Sequence, residues 1–209
     1  MSRGYFISIE GTDGAGKSTQ IELLKEYLTS RGIAATFLRE PGGTEISEKI
    51  RQIILDINHA EMCDVTEMLL YAAARAQVVR EVIKPLVEAG EIVICDRFVD
   101  SSYAYQSFAR GLHLDDVRAV NNLAICGVMP DMTLFFDMSP DEAIARRQSA
   151  TTADRLEQEP AQFHQDVYRG YKFLAAESPA RIKVIDARKQ IHEVAQEVRL
   201  LIDGLLKLK

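Results

Sequence analysis

Glycine, lysine and hydroxyl side chains are gathered in one short run, GTDGAGKST, from Gly11 to Thr19. It fits the pattern G-x-x-x-x-G-K-[ST] between an apolar strand and a helical stretch. Glycines at this spacing let backbone N–H groups turn inward and approach phosphate oxygens closely. The next helix adds unpaired N–H groups and the positive end of its dipole. Lys17 supplies a mobile charge for the β- and γ-phosphates, and the Ser18 hydroxyl can ligate Mg²⁺. The run Gly11, Thr12, Asp13, Gly14, Ala15, Gly16, Lys17, Ser18, Thr19 is therefore the candidate triphosphate site. By itself it leaves GTPases, motor ATPases and small-molecule kinases open.

A second set of residues narrows the choice. Asp96 ends the apolar run IVICD, where a carboxylate can hold a magnesium-bound water. Arg97 comes directly after it and projects from the carboxyl edge of the sheet, the edge where ligands sit in open α/β folds. Arg39 ends another such run, and Arg51 lies on the helix after it. Tyr71 and Arg75 are four apart on a helix, so one face carries a flat ring and a guanidinium fork. A ring stacks on a base, and a fork donates to a base carbonyl. The stretch DSSYAYQSFARG, just past Arg97, reads as a polar loop able to line a nucleoside pocket.

These residues need elements to hold them. Apolar runs of strand character (YFISIE, AATFLRE, EIVICD, MTLFFDM and RIKVIDA) alternate with helical patterns. Helices are predicted from about Lys17 to Arg31, over 65–89 as one piece, and from about Gln190 to Leu206. The alternation predicts a three-layer α/β/α fold around a five-stranded parallel sheet. The expected organisation is a single domain, 1–209, with a short mobile lid at about 146–157, where RRQSATTADR breaks the pattern.

Composition sets outer limits. The chain has 209 residues and a formal net charge of -6, which argues against nucleic acid as a partner. The cysteines, Cys63, Cys95 and Cys126, lack metal-ligand spacing and read as small buried thiols in a reducing compartment. No apolar run approaches the roughly 20 residues that span a bilayer. The expected location is the cytoplasm, without a membrane partner.

Taken in order, EGTDGAGKST, REPGGT, YAAAR, CDRFVDSSYAYQ, ARG and DRLEQE resemble the bacterial thymidylate kinases over nearly the whole chain. The resemblance implies a P-loop kinase fold, ATP with Mg²⁺, transfer of the γ-phosphoryl to dTMP, and a homodimer. It also implies roles. Asp13 would face the sugar and acceptor phosphate, which Arg39 and Arg97 would grip, with Arg51 nearby. Tyr71 would stack on thymine and Arg75 would bond its O4 edge. Ser102 and Gln106 would address the remaining base edge, and Tyr105 would lie against C2′ of the sugar. Ser18 and Asp96 would serve the metal.

Two departures from the family pattern stand out. Tyr71 replaces the usual phenylalanine, so its hydroxyl needs a partner. The family places a transition-state arginine either in the phosphate loop, where this chain has Gly14, or just before the DR of DRLEQE, where it has QSATTA. The charge then falls to Arg147 or Arg155, with Arg146 able to stack on adenine. Three rival readings remain. A deoxynucleoside kinase, with Glu10 or Glu40 as base, would not need several acceptor-site arginines. A P-loop switch commonly carries NKxD, which is absent here. A kinase of another pyrimidine monophosphate such as dUMP differs by a single methyl contact.

Overall fold

Strand register explains why the phosphate loop, Asp96 and Arg39 share one edge. The computed structural model describes residues 3–146 and 154–208. Its strands are β1 (Tyr5–Gly11), β2 (Ala35–Arg39), β3 (Ile92–Asp96), β4 (Met132–Asp137) and β5 (Ile182–Asp186), ordered β2-β3-β1-β4-β5. Every pairing is parallel. Arg39 lies opposite Asp96, and Asp96 opposite Ile9, two residues before Gly11. All three strands therefore end together, and the loops that leave them form one rim.

The helices are α1 (Lys17–Ser30), α2 (Glu45–Leu55), α3 (Asp64–Val78), α4 (Lys84–Glu88), α5 (Val99–Ser102), α6 (Leu114–Ile125), α7 (Pro140–Arg146), α8 (Ala161–Glu177) and α9 (Ile191–Leu206). Strand residues alternate between two cores. Ile7, Ile9, Ile94, Leu134, Phe136 and Ile185 pack beneath α1 and α9. Phe6, Val93, Cys95 and Phe135 pack on the other face beneath α3, α6 and α8. The three-layer expectation holds.

The long helix predicted over 65–89 is helical but not uniform. A π-turn over Val79–Ile83 separates α3 from α4. Pro85, at the start of α4, has no N–H to give to an upstream carbonyl. The ladder accommodates this by lengthening one turn, as the bond from the Lys84 N–H to the Val79 carbonyl shows.

The stretch read as a polar loop, DSSYAYQSFARG, is instead helical: α5 runs into a π-helical segment, Tyr103–Ala109. It packs on α8 at Gly170, where an added Cβ would come within 2.9 Å of Ala104 Cα. Tertiary burial of Tyr103, Tyr105 and Gln106 overrides the loop-like composition. The cysteines also differ from expectation. Only Cys95 is fully buried, Cys126 is half-buried, and Cys63 is exposed at the N-cap of α3.

Candidate active site

A cleft of about 620 Å³ opens at the carboxyl edge of the sheet. Its lining joins two groups that lie far apart in sequence. One is the phosphate loop, through Asp13, Gly14, Gly16, Lys17, Ser18 and Thr19. The other is Arg39, Arg51, Tyr71, Arg75, Asp96, Arg97, Ser102, Tyr105 and Gln106. Gly11, Thr12, Ala15, Arg146 and Arg155 do not line it. Arg147 lies outside the described residues.

The loop is shaped by its glycines and tied down by Thr12, whose hydroxyl donates to the Met138 carbonyl at 3.0 Å. Gly14 has φ 89°, and a Cβ there would meet the Ala143 carbonyl at 3.0 Å. An arginine at this position would be strained and crowded, a local reason for glycine. No side chain caps the start of α1. Lys17 is 7 % exposed, and its Nζ donates to the carbonyls of Gly11 (3.0 Å) and Thr12 (2.9 Å). Burial, then the charge of Arg97, lowers its pKa to about 8.

Arg97 is held with unusual care. Its backbone sits in the left-handed region at φ 66°, which costs a side-chain-bearing residue about 1 kcal/mol or more. Its N–H donates to the Ile9 carbonyl at 2.9 Å, fixing the bend as the chain leaves β3. Its Nη2 donates to Asp13 Oδ1 at 2.6 Å, and its Nη1 to the hydroxyls of Tyr171 (3.1 Å) and Ser101 (3.3 Å). Both hydroxyls donate onward to Glu10 Oε2, at 2.9 and 2.6 Å. Burial, reinforced by Asp100, raises the Glu10 carboxyl to about 7. Desolvation works against ionisation of Asp13 too, but Arg97 and Lys17 outweigh it and hold its carboxyl well below the usual range.

Across the cleft, Arg39 and Arg51 both donate to the Pro41 carbonyl, at 3.1 and 3.0 Å. Burial, and then Arg39's like charge, lowers the pKa of Arg51. Arg39 is also ion-paired with Glu48 at 2.9 Å, as Arg97 is with Asp13 at 2.6 Å, so three guanidinium groups line one cleft, two of them held by carboxylates that an anion would have to share or displace.

Comparison with known proteins decides which anion-handling family this is. The thymidylate kinase family profile matches residues 9–198. The thymidylate kinase of Thermoanaerobacter sp. (strain X514) is 50 % identical over 196 residues, covering 94 % of this chain and 96 % of that one. That of Caldanaerobacter subterraneus subsp. tengcongensis is 48 % identical over 205 residues, 98 % of each chain. The crystal structure of thymidylate kinase from Ehrlichia chaffeensis superposes with a TM-score of 0.77 at 31 % identity, covering 96 % of this chain and 99 % of that one. The chain belongs to the thymidylate kinase family.

The same lining also carries Tyr71, Arg75 and Tyr105. There, Tyr71 is half-buried, and burial pushes its phenol pKa up. Arg75 is 2 % exposed. It donates to Glu40 Oε2 (2.8 Å), Ser102 Oγ (2.8 Å), Asn121 Oδ1 and the Phe98 carbonyl (3.1 Å). These bonds commit four of its five N–H groups and leave one for a ligand. Tyr105 is buried beside Asp13, with its hydroxyl 3.5 Å from Oδ2 and Arg97 over its ring at 5.4 Å.

The supporting residues Glu40, Asn121, Tyr171 and Glu67 were not assigned these roles from sequence. Each meets a partner dozens of residues away, and no local motif signals that. Arg155, a candidate for the phosphates, is 8 % exposed. It donates to the Ile54 carbonyl (2.8 Å) and to Glu67 (2.6 Å). Arg146, at the end of α7, donates to the Ala187 carbonyl at 2.7 Å.

The residues present fit a hard cation. Asp96 Oδ1 is buried without a hydrogen-bond partner among the described residues, and Ser18 lines the same cleft. Among the described residues no cluster of three or more His, Cys, Asp or Glu forms a metal cage.

Proposed function

We propose that this chain transfers the γ-phosphoryl group of ATP to dTMP, giving dTDP and ADP. The observation that carries this reading is the meeting of Arg39, Arg51 and Arg97 with the phosphate loop in one cleft. A neutral hydroxyl acceptor would have no need of three guanidinium groups.

The phosphate loop and Lys17 would hold the β- and γ-phosphates. Mg²⁺ would be held by the Ser18 hydroxyl and the Asp96 carboxylate, and when bound it would supply positive charge to the phosphates. Arg39, Arg51 and Arg97 would hold the acceptor phosphate in line, with Asp13 orienting Arg97. The acceptor is already an anion, so no strong base is required. Tyr71 would stack on the base, with Arg75, Ser102 and Gln106 at its polar edge and Tyr105 against the sugar. Arg146 would lie beside adenine. Arg147, which lies outside the described residues, or Arg155, which in this structure is bonded to Glu67, would meet the transferring group. The whole would form one domain spanning 1–209.

An acceptor panel tests this. ADP release with ATP and Mg²⁺ should be rapid with dTMP and slower with dUMP or UMP. Turnover with thymidine alone, or hydrolysis indifferent to acceptor, would overturn the reading.

We also place the chain in the cytoplasm as a homodimer. Its three unpaired cysteines, one of them exposed, suit a reducing compartment. No helix among the described residues is long and apolar enough to cross a membrane. Val65 and Leu69 on α3 are 50 % and 51 % exposed, and Leu123 on α6 is 81 % exposed. These neighbouring helices support a self-complementary face. Light scattering should give twice the chain mass, and Leu69→Asp should return it to one; a wild-type monomer at micromolar concentration would refute the dimer.

A further inference from the structure

Glu67 is a buried carboxylate to which the transfer itself assigns no task. It sits in the first turn of α3 and is 1 % exposed. Its Oε1 accepts from Gln106 Nε2 at 3.0 Å and from Arg110 Nε at 3.2 Å. Its Oε2 accepts from Arg110 Nη2 at 2.9 Å and from Arg155 Nη2 at 2.6 Å. Four donors fill the roughly four lone-pair positions of a carboxylate. Burial raises its pKa, but the bonds and charge of Arg110, with those of Gln106 and Arg155, bring it below the usual value. Glu67 is therefore ionised at neutral pH and can only accept.

That restriction passes to Gln106. A carboxamide has one donor end and one acceptor end, and only the donor end can face Glu67. What remains is Oε1, which is buried, has no hydrogen-bond partner among the described residues and belongs to a residue lining the cleft. Turning the amide over would set its oxygen against the carboxylate and lose a charge-assisted bond. Gln106 thus offers the cleft an acceptor, while Arg75 offers a donor. A base that matches must carry an N–H beside a carbonyl, as the N3–H and O4 of thymine do. Cytosine carries the opposite pair, an acceptor at N3 and an amine at C4.

We propose that Glu67 is a specificity-determining positioning residue: by pinning the Gln106 carboxamide, it sets the cleft to accept a 4-oxo pyrimidine monophosphate and refuse a 4-amino one. The proposal rests on the reading above that the base lies at Tyr71, Arg75 and Gln106. The same carboxylate also holds Arg155. Loss of that tie should weaken binding of both nucleotides alike, and so leaves their ratio unchanged.

The test is a double-mutant cycle on the ratio of dissociation constants for dCMP and dTMP, measured by calorimetry. Glu67→Gln gives Gln106 a neighbour that can donate or accept, so the ratio should narrow at least 10-fold. Glu67→Asp, still an acceptor only, should keep it. Gln106→Ala should narrow the ratio by itself, and Glu67→Gln should then narrow it no further. Equal weakening of both nucleotides by Glu67→Gln, or a further narrowing in the Gln106→Ala background, overturns the proposal. If Gln106→Ala leaves the ratio untouched while dTMP is still turned over, the placement of the base falls and the proposal with it.

A measurement on the unaltered protein guards against a misfolded variant. The Gln106 side-chain NH₂ resonances, assigned by their loss in Gln106→Ala, should stay protected from exchange when dTMP binds. Loss of protection would mean that the amide turns its donor to the base, against the proposal.

Discussion

Lys17→Met is expected to lower kcat by roughly 10³ without lowering thermal stability. The activity loss comes from preorganisation. Removing one well-placed donor from a transition-state site commonly costs 10²–10³ in rate, and Lys17 contributes a full charge as well. The stability side is less obvious. Without phosphate, the Lys17 ammonium is 7 % exposed and, among the described residues, bonded only to the carbonyls of Gly11 and Thr12, with Asp13 at 3.8 Å. Its pKa, lowered to about 8, reports that the folded chain holds this charge at a cost. Methionine has similar length and no charge to desolvate. The free protein should therefore keep or raise its melting temperature as catalysis collapses, a trade between stability and function. Thermal unfolding without nucleotide, beside single-turnover rates, checks both halves. A loss of less than tenfold in rate would remove Lys17 from the transition state, and a fall of several degrees in Tm would contradict the desolvation argument.

The contrast between what could and could not be read from the sequence has a physical cause. Strands buried on both faces must be apolar along their length, so IVICD and MTLFFD announce themselves. The phosphate loop is legible for a similar reason, because its chemistry needs particular residue types within nine consecutive positions. The helical stretch 99–109 hid because its polar side chains are turned inward to Arg97, Glu67 and the cleft. Composition signalled a loop where burial makes a helix. Arg75 was legible as a cleft residue through its spacing from Tyr71. Its partners Glu40 and Asn121, 35 and 46 residues away, were not. Arg155 shows the limit most clearly. Its sequence neighbours place it at the lid, while the residue that captures it, Glu67, lies 88 positions earlier.

Arg75→Met is expected to destabilise the fold by about 3–5 kcal/mol at pH 8, because it leaves Glu40 buried without a counter-charge. Glu40 is 4 % exposed, its Oε2 is held by Arg75 at 2.8 Å, and its Oε1 has no partner among the described residues. Burial already raises its carboxyl from 4.5 to about 7 against the pull of Arg75. The folded chain thus binds this proton more tightly than the unfolded one. That contribution makes stability fall as pH rises from about 4.5 through about 7. Without Arg75 the pKa rises further, so protonation should spare the variant at low pH and the penalty should grow toward pH 8. In a chain of this size the full loss corresponds to a drop of roughly 10 °C in Tm at pH 8, with a clearly smaller drop at pH 5.5. Adding Glu40→Gln removes the stranded charge. The double variant should recover part of the loss at pH 8, though not all, since Ser102, Asn121 and the Phe98 carbonyl still lack their donor. Unfolding curves at the two pH values decide the matter. Equal losses at both would mean that the missing hydrogen bonds of Arg75, and not the unpaired carboxylate, carry the effect.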